Sequence, residues 1–173
     1  MSHTIIISAT SRTNLELSEK IKQEAEGLDM SAEIIDIEAL KLPLYSFDEE
    51  AKEIPLAARE LSEKLSKVAG FVFVGPEYNG GMTPAAVNAI CWISRTGGDW
   101  RKCFSQKMVL MATSSGGGGL NLLRVVNTQM QHLGAIVLPR PIIVNASKKY
   151  SDEAARAGLA LIKNWSEASM REA

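Results

Sequence analysis

Four or five short apolar runs alternate with amphipathic patterns, and that alternation restricts the possible folds more than any other feature. Thr4–Ser8 is β-branched and nearly unbroken, Ala32–Ile37 reads AEIIDI, Gly70–Val74 reads GFVFV and Lys107–Ala112 reads KMVLMA. Ala135–Leu138 reads AIVL, with Ile142–Val144 just beyond a pair of prolines. Near-continuous apolar runs suit strands buried on both faces of a parallel sheet. Between them, Leu15–Leu28 places Leu17, Ile21, Ala25 and Leu28 at helical spacing. Pro55–Val68 puts Leu61, Leu65 and Val68 on one face. Thr83-Pro84 reads as an N-cap followed by proline in the first turn, opening a helix to about Ser94. Leu120–Leu133 and Asp152–Met170 complete the set. The order β-α-β-α-β-α-β-α-β predicts an α/β sandwich, a five-stranded parallel sheet with helices on both faces.

The 173 residues fit one domain over 1–173. Nineteen basic and 20 acidic residues leave a net charge of −1, which excludes the electrostatic footprint of a nucleic-acid binder and a polybasic membrane patch. No apolar stretch approaches a membrane span, and Ile5–Ile7 is too short for a signal peptide, so a cytoplasmic location is expected. Two cysteines and two histidines, without metal-ligand spacing, point away from zinc. The segment Lys41–Ile54 reads as a long loop, either functional or a plain surface connection.

Ligands of open parallel sheets bind beyond the carboxyl ends of the strands, and three loops there carry chemistry. Ser8–Asn14 (SATSRTN) is rich in hydroxyls and opens a helix. It suits a terminal monophosphate on free N–H groups, or is an ordinary helix cap. It lacks the glycines and lysine of a nucleoside-triphosphate loop. Gly75–Pro84 (GPEYNGGMTP) carries an exposed aromatic and a tight turn at Asn79-Gly80. Tyr78 either contacts a flat heterocycle or packs on the surface, and Glu77 either lines the site or caps the turn. Thr113–Gly119 (TSSGGGG) lets backbone approach a ligand closely, or serves as a flexible link.

The stretch GPEYNGGMTPAAVNAICWISR, Gly75–Arg95, resembles the signature of the NADPH-dependent FMN reductase family through Pro76, Glu77, Tyr78, Asn79, Gly80, Asn88, Ala89, Ile90 and Trp92. The first loop is similar to that family's phosphate loop, with Thr10 and Arg12 in its Ser and Arg places, and Ser114 with its glycines resembles a third family stretch. The first loop is a residue shorter than usual. Ala9 stands in place of glycine, Gly81 of serine, Cys91 of an acidic residue and Ser115 of a common proline.

The resemblance implies a flavodoxin-like fold of strand order 2-1-3-4-5 and one FMN per chain. It places the phosphate on Thr10, Ser11, Arg12 and Asn14, and the ring between Pro76, Glu77, Tyr78, Asn79 and Gly80 and the stretch Ser114, Ser115, Gly116 and Gly117. It further implies NADPH or NADH as hydride donor and a small-molecule electron acceptor (a quinone, free flavin, azo compound or metal oxyanion) in ping-pong order. A homodimer or homotetramer is implied as well. The chemistry is borne by the flavin, with no catalytic side chain, and backbone near Gly116 and Gly117 would steady negative charge on the reduced ring. A flavodoxin-type electron carrier and a non-enzymatic FMN-binding scaffold or sensor are the alternatives. His132 and Cys91 read as structural, and Trp92 as packing or interface.

Overall fold

The computed structural model describes residues 2–171. Its parallel sheet runs in the order β2-β1-β3-β4-β5, built from β1 (His3–Ser8), β2 (Ser31–Asp36), β3 (Gly70–Val74), β4 (Met108–Ser114) and β5 (Ile136–Val137). The expected strand order and the two-sided helical cover are both present. Consecutive residues of the central strands face opposite layers, as the pleat requires. Ile5, Ile7, Phe71, Phe73, Val109 and Met111 pack on one side against α3 (Leu56–Lys67), α4 (Pro84–Ile93) and α5 (Leu120–His132). Ile6, Val72, Val74, Leu110 and Ala112 pack on the other against α1 (Thr13–Glu26) and α6 (Asp152–Arg171). All five residues of β3 are buried, which is why that run carries no polar residue.

Two expectations need correction. The fifth strand is broken: β5 ends at Val137, and a sixth strand, β6 (Ile142–Val144), resumes parallel pairing with β4. Val137 lies opposite Val109 and Ile142 opposite Ala112, so the edge uses five residues where β4 uses three. Pro139 and Pro141 have no N–H to give the ladder, and the chain bulges between them. The second correction concerns Lys41–Ile54, which contains a short helix, α2 (Phe47–Lys52), capped by Ser46 Oγ accepting the Glu49 N–H.

The segment around α2 is strapped to α4. Asn88 Oδ1 accepts the Tyr45 N–H at 2.8 Å, its amide donates to the Pro43 carbonyl at 2.9 Å, and the fully buried Trp92 indole donates to the same carbonyl at 2.7 Å. Two residues that carry the family resemblance are thereby accounted for by packing.

Candidate functional site

At the carboxyl end of the sheet the first loop is pinned from three sides. The Ala9 N–H donates to the Val74 carbonyl at 2.8 Å, and the Thr83 hydroxyl donates to the Ala9 carbonyl at 3.2 Å. Asn14, only 2% exposed, receives the Ser114 N–H at 2.8 Å and returns its amide to the Ser114 carbonyl at 3.1 Å. Ala9 itself sits 3.0 Å from where a side-chain carbon on Gly75 would lie, so the first and second loops touch through their smallest residues. These ties bring all three predicted loops to one cleft of about 740 Å³.

Thr10, Arg12, Asn14, Pro76, Tyr78, Ser114, Ser115 and Gly116 line that cleft; Ser11, Glu77, Asn79, Gly80 and Gly117 do not. Four of these five outlying positions have a local reason. Asn79 (φ +50°) and Gly80 (φ +77°) form the tip of a tight turn closed by reciprocal hydrogen bonds between Tyr78 and Gly81, at 3.0 and 2.9 Å. Only residues that tolerate positive φ fit such a tip. The Ser11 N–H is bound by Glu38 Oε2 at 2.8 Å. Glu77 is turned toward α5, where its carboxylate accepts the N–H groups of Asn121 (3.1 Å) and Leu122 (3.4 Å) and the Asn121 amide (3.2 Å). The Asn121 amide foremost holds the Glu77 carboxyl below its ordinary range; it outweighs the upward push of desolvation and is helped by the Leu122 and Asn121 N–H groups. Glu77 thus caps a helix whose own N-cap, Gly119, has no side chain to offer.

Helix α1 is different. Its N-cap residue, Arg12, makes no side-chain cap bond. Among the described residues no acceptor takes the N–H of Thr10, Arg12, Thr13 or Asn14. Uncapped helix donors beside an exposed guanidinium are a favourable setting for an anion. Beyond them the cleft opens past Tyr78, half-exposed at 50%, to Gly116, around which an added side-chain carbon would meet nothing within 4 Å.

Five lining residues were not anticipated: Thr13, Glu38, Val144, Asn145 and Ala146. The last three follow the resumed strand β6, whose Val144 carbonyl accepts the Ser115 N–H at 3.1 Å. Asn145 closes a turn by accepting the N–H groups of Ser147 and Lys148 at 2.9 and 2.8 Å. The rule that ligands gather at strand carboxyl ends would have pointed to both Glu38 and this loop. Of the residues set aside as structural, His132 is exposed in the last turn of α5 and Cys91 is half-buried on α4.

Residues 2–149 match the family model described as NADPH-dependent FMN reductase. The chain belongs to that family. Among curated proteins it is similar to a quinone reductase of Escherichia coli (strain K12), 33% identical over 103 residues, covering 58% of this chain and 53% of the relative. It is also 25% identical over 114 residues to an NADPH azoreductase of Bacillus sp. (strain OY1-2), covering 65% of this chain and 61% of that one. The match therefore spans between half and two thirds of the length of these two relatives. Its fold is similar to that of the flavoenzyme FerB, an NAD(P)H:(acceptor) oxidoreductase from Paracoccus denitrificans, with TM-score 0.73 at 19% identity over 96% of both chains. A flavodoxin from the domain Archaea superposes with TM-score 0.61 at 12% identity, over 96% of this chain and 97% of that one. This family member thus has the flavodoxin-like architecture, and among its described residues no helix is long and apolar enough to cross a membrane.

Proposed function

We propose that this family member is an FMN-dependent NAD(P)H oxidoreductase that passes reducing equivalents to a small-molecule acceptor, with quinones and azo compounds as the leading classes. The observation that carries the reading is the uncapped first turn of α1, opening into one cleft with the Tyr78 and Ser114–Gly116 loops. The residues present fit FMN. Four free N–H groups and Arg12 match a terminal phosphate, and the open space at Gly116 beside a half-exposed tyrosine matches a flat ring. A cleft of about 740 Å³ is also of the size that holds a small cofactor.

In this reading Thr10, Arg12 and Thr13 hold the phosphate. Asn14 acts one step back, fixing the loop against Ser114. Pro76, Tyr78, Ser115 and Gly116 wall the ring, and Glu77 keeps the two ring-side loops in register by joining the second loop to α5. The bound flavin supplies the hydride chemistry, accepting from NADPH or NADH and delivering to the acceptor in turn. In this reading the chemistry is borne by the flavin and calls on no catalytic side chain. Nicotinamide and acceptor would use the same open side of the cleft in turn, in ping-pong order. Assembly as a homodimer or homotetramer is part of the proposal, with Leu44 and Phe47 on the α2 strap, each 80% exposed, as apolar surface for it.

The test is a spectrum of the protein mixed with FMN and freed of excess, followed by anaerobic NADPH or NADH. A retained flavin that bleaches and is reoxidised by a quinone over many turnovers supports the oxidoreductase. A retained flavin that stays oxidised returns the reading to a carrier or sensor, and no retained flavin removes the phosphate assignment.

A further inference from the structure

The cleft contains one carboxylate, Glu38, among residues that are otherwise neutral except Arg12. Its place is fixed by a turn beyond β2, in which the N–H groups of Glu38 and Ala39 donate to Asp36 Oδ1 at 3.0 and 3.3 Å. From there the side chain reaches across to the first loop, where Oε2 takes the Ser11 N–H at 2.8 Å. Ser11 lies in the middle of the first loop, where the N–H groups of Thr10, Arg12, Thr13 and Asn14 have no acceptor among the described residues. An acidic group placed there opposes any dianion the loop would bind.

We propose that Glu38 is a tethered competitor for the phosphate loop. Its carboxylate occupies one of the loop's donors when no ligand phosphate is there, and a flavin phosphate has either to displace it or to share the cleft with its charge. The inference rests on the FMN reading and refines it, because Glu38 sets how tightly the phosphorylated flavin is held. It penalises FMN specifically, since riboflavin brings no phosphate to the loop. FMN held against such a penalty exchanges with free flavin more readily than the loop alone would allow.

The experiment is a fluorescence titration of flavin-free wild type and the E38Q variant with FMN and with riboflavin. Glutamine keeps an oxygen for the Ser11 N–H and removes only the charge. The expected result is an FMN Kd at least about fivefold lower in E38Q, with the riboflavin Kd within about twofold, since the repulsion removed acts on the phosphate alone. An FMN Kd that is unchanged or higher in E38Q overturns the inference, as does equal tightening of both flavins. A second readout keeps the two proposals separable. If wild type binds neither flavin, the FMN reading fails, and Glu38 is judged by the rise in Tm on adding inorganic phosphate. A larger rise in E38Q than in wild type supports the competitor, and an equal or smaller rise overturns it.

Discussion

Replacing Asn14 with alanine removes the side chain that, among the described residues, hydrogen-bonds the first loop to the fourth strand, and the structure sets the size of the effect. Two hydrogen bonds are lost, the Ser114 N–H into Asn14 Oδ1 at 2.8 Å and the Asn14 amide into the Ser114 carbonyl at 3.1 Å. Each is worth about 1 kcal/mol net, and leaving both Ser114 groups without partners costs roughly a further 1–3 kcal/mol. Asn14 is 2% exposed, so water cannot fully replace the bonds, but Ser114 is only half-buried, which favours the lower end. The expected loss is about 3 kcal/mol, or roughly 6–12 °C in Tm for a chain of this size. The assay is urea unfolding of the flavin-free protein, where the midpoint falls and the slope stays constant. Asn14→Asp is also destabilising, because a carboxylate accepts the Ser114 N–H but turns a second negative oxygen on the Ser114 carbonyl. An Asn14→Ala variant within about 0.5 kcal/mol of wild type would refute the reasoning and return Asn14 to the role of a direct phosphate ligand.

The capping of α5 predicts acid sensitivity at Glu77. Its folded pKa lies below the ordinary 4.5, so its contribution to stability is complete above that value and lost as pH falls through the lowered folded one. Comparing wild type with Glu77→Gln across acidic pH by circular dichroism should show the stability difference shrink toward low pH; a difference that does not change with pH contradicts the assignment. At Gly119 (φ +70°) an added side-chain carbon would lie 2.7 Å from Thr113 Cγ2 and 2.9 Å from its Oγ1. Gly119→Ala should lose about 2–4 kcal/mol through backbone strain and overpacking of the fully buried, χ1-stiff Thr113. Gly116→Ala, with open space around it, should unfold at nearly the wild-type midpoint; equal effects of the two substitutions would contradict this account.

Much of the fold is legible because its signals are local. The runs IIIS, GFVFV and KMVLMA have to be buried on both faces, and the intervening periodicities leave only a helix-covered parallel sheet. Thr83-Pro84 marks the start of α4 unaided, since cap and proline act within one turn. The broken edge was only half legible. Pro139 and Pro141 announce an interruption, but whether pairing resumes beyond them depends on β4 still offering Ala112–Ser114 to a partner.

The site divides along the same line. The sequence by itself pointed to the three loops that meet at the cleft, because hydroxyls before a helix, an Asn-Gly turn and a glycine run each act through neighbouring backbone. Only the tertiary structure decided what individual side chains do, because their partners lie far along the chain. Asn14 is spent on Ser114, Glu77 on the first turn of α5, and Ser11 on Glu38. Asn88 and Trp92 hold the α2 strap. A carboxylate or an amide binds whatever donor or acceptor the fold brings within about 3 Å, and that distance is fixed by packing rather than by position in the sequence.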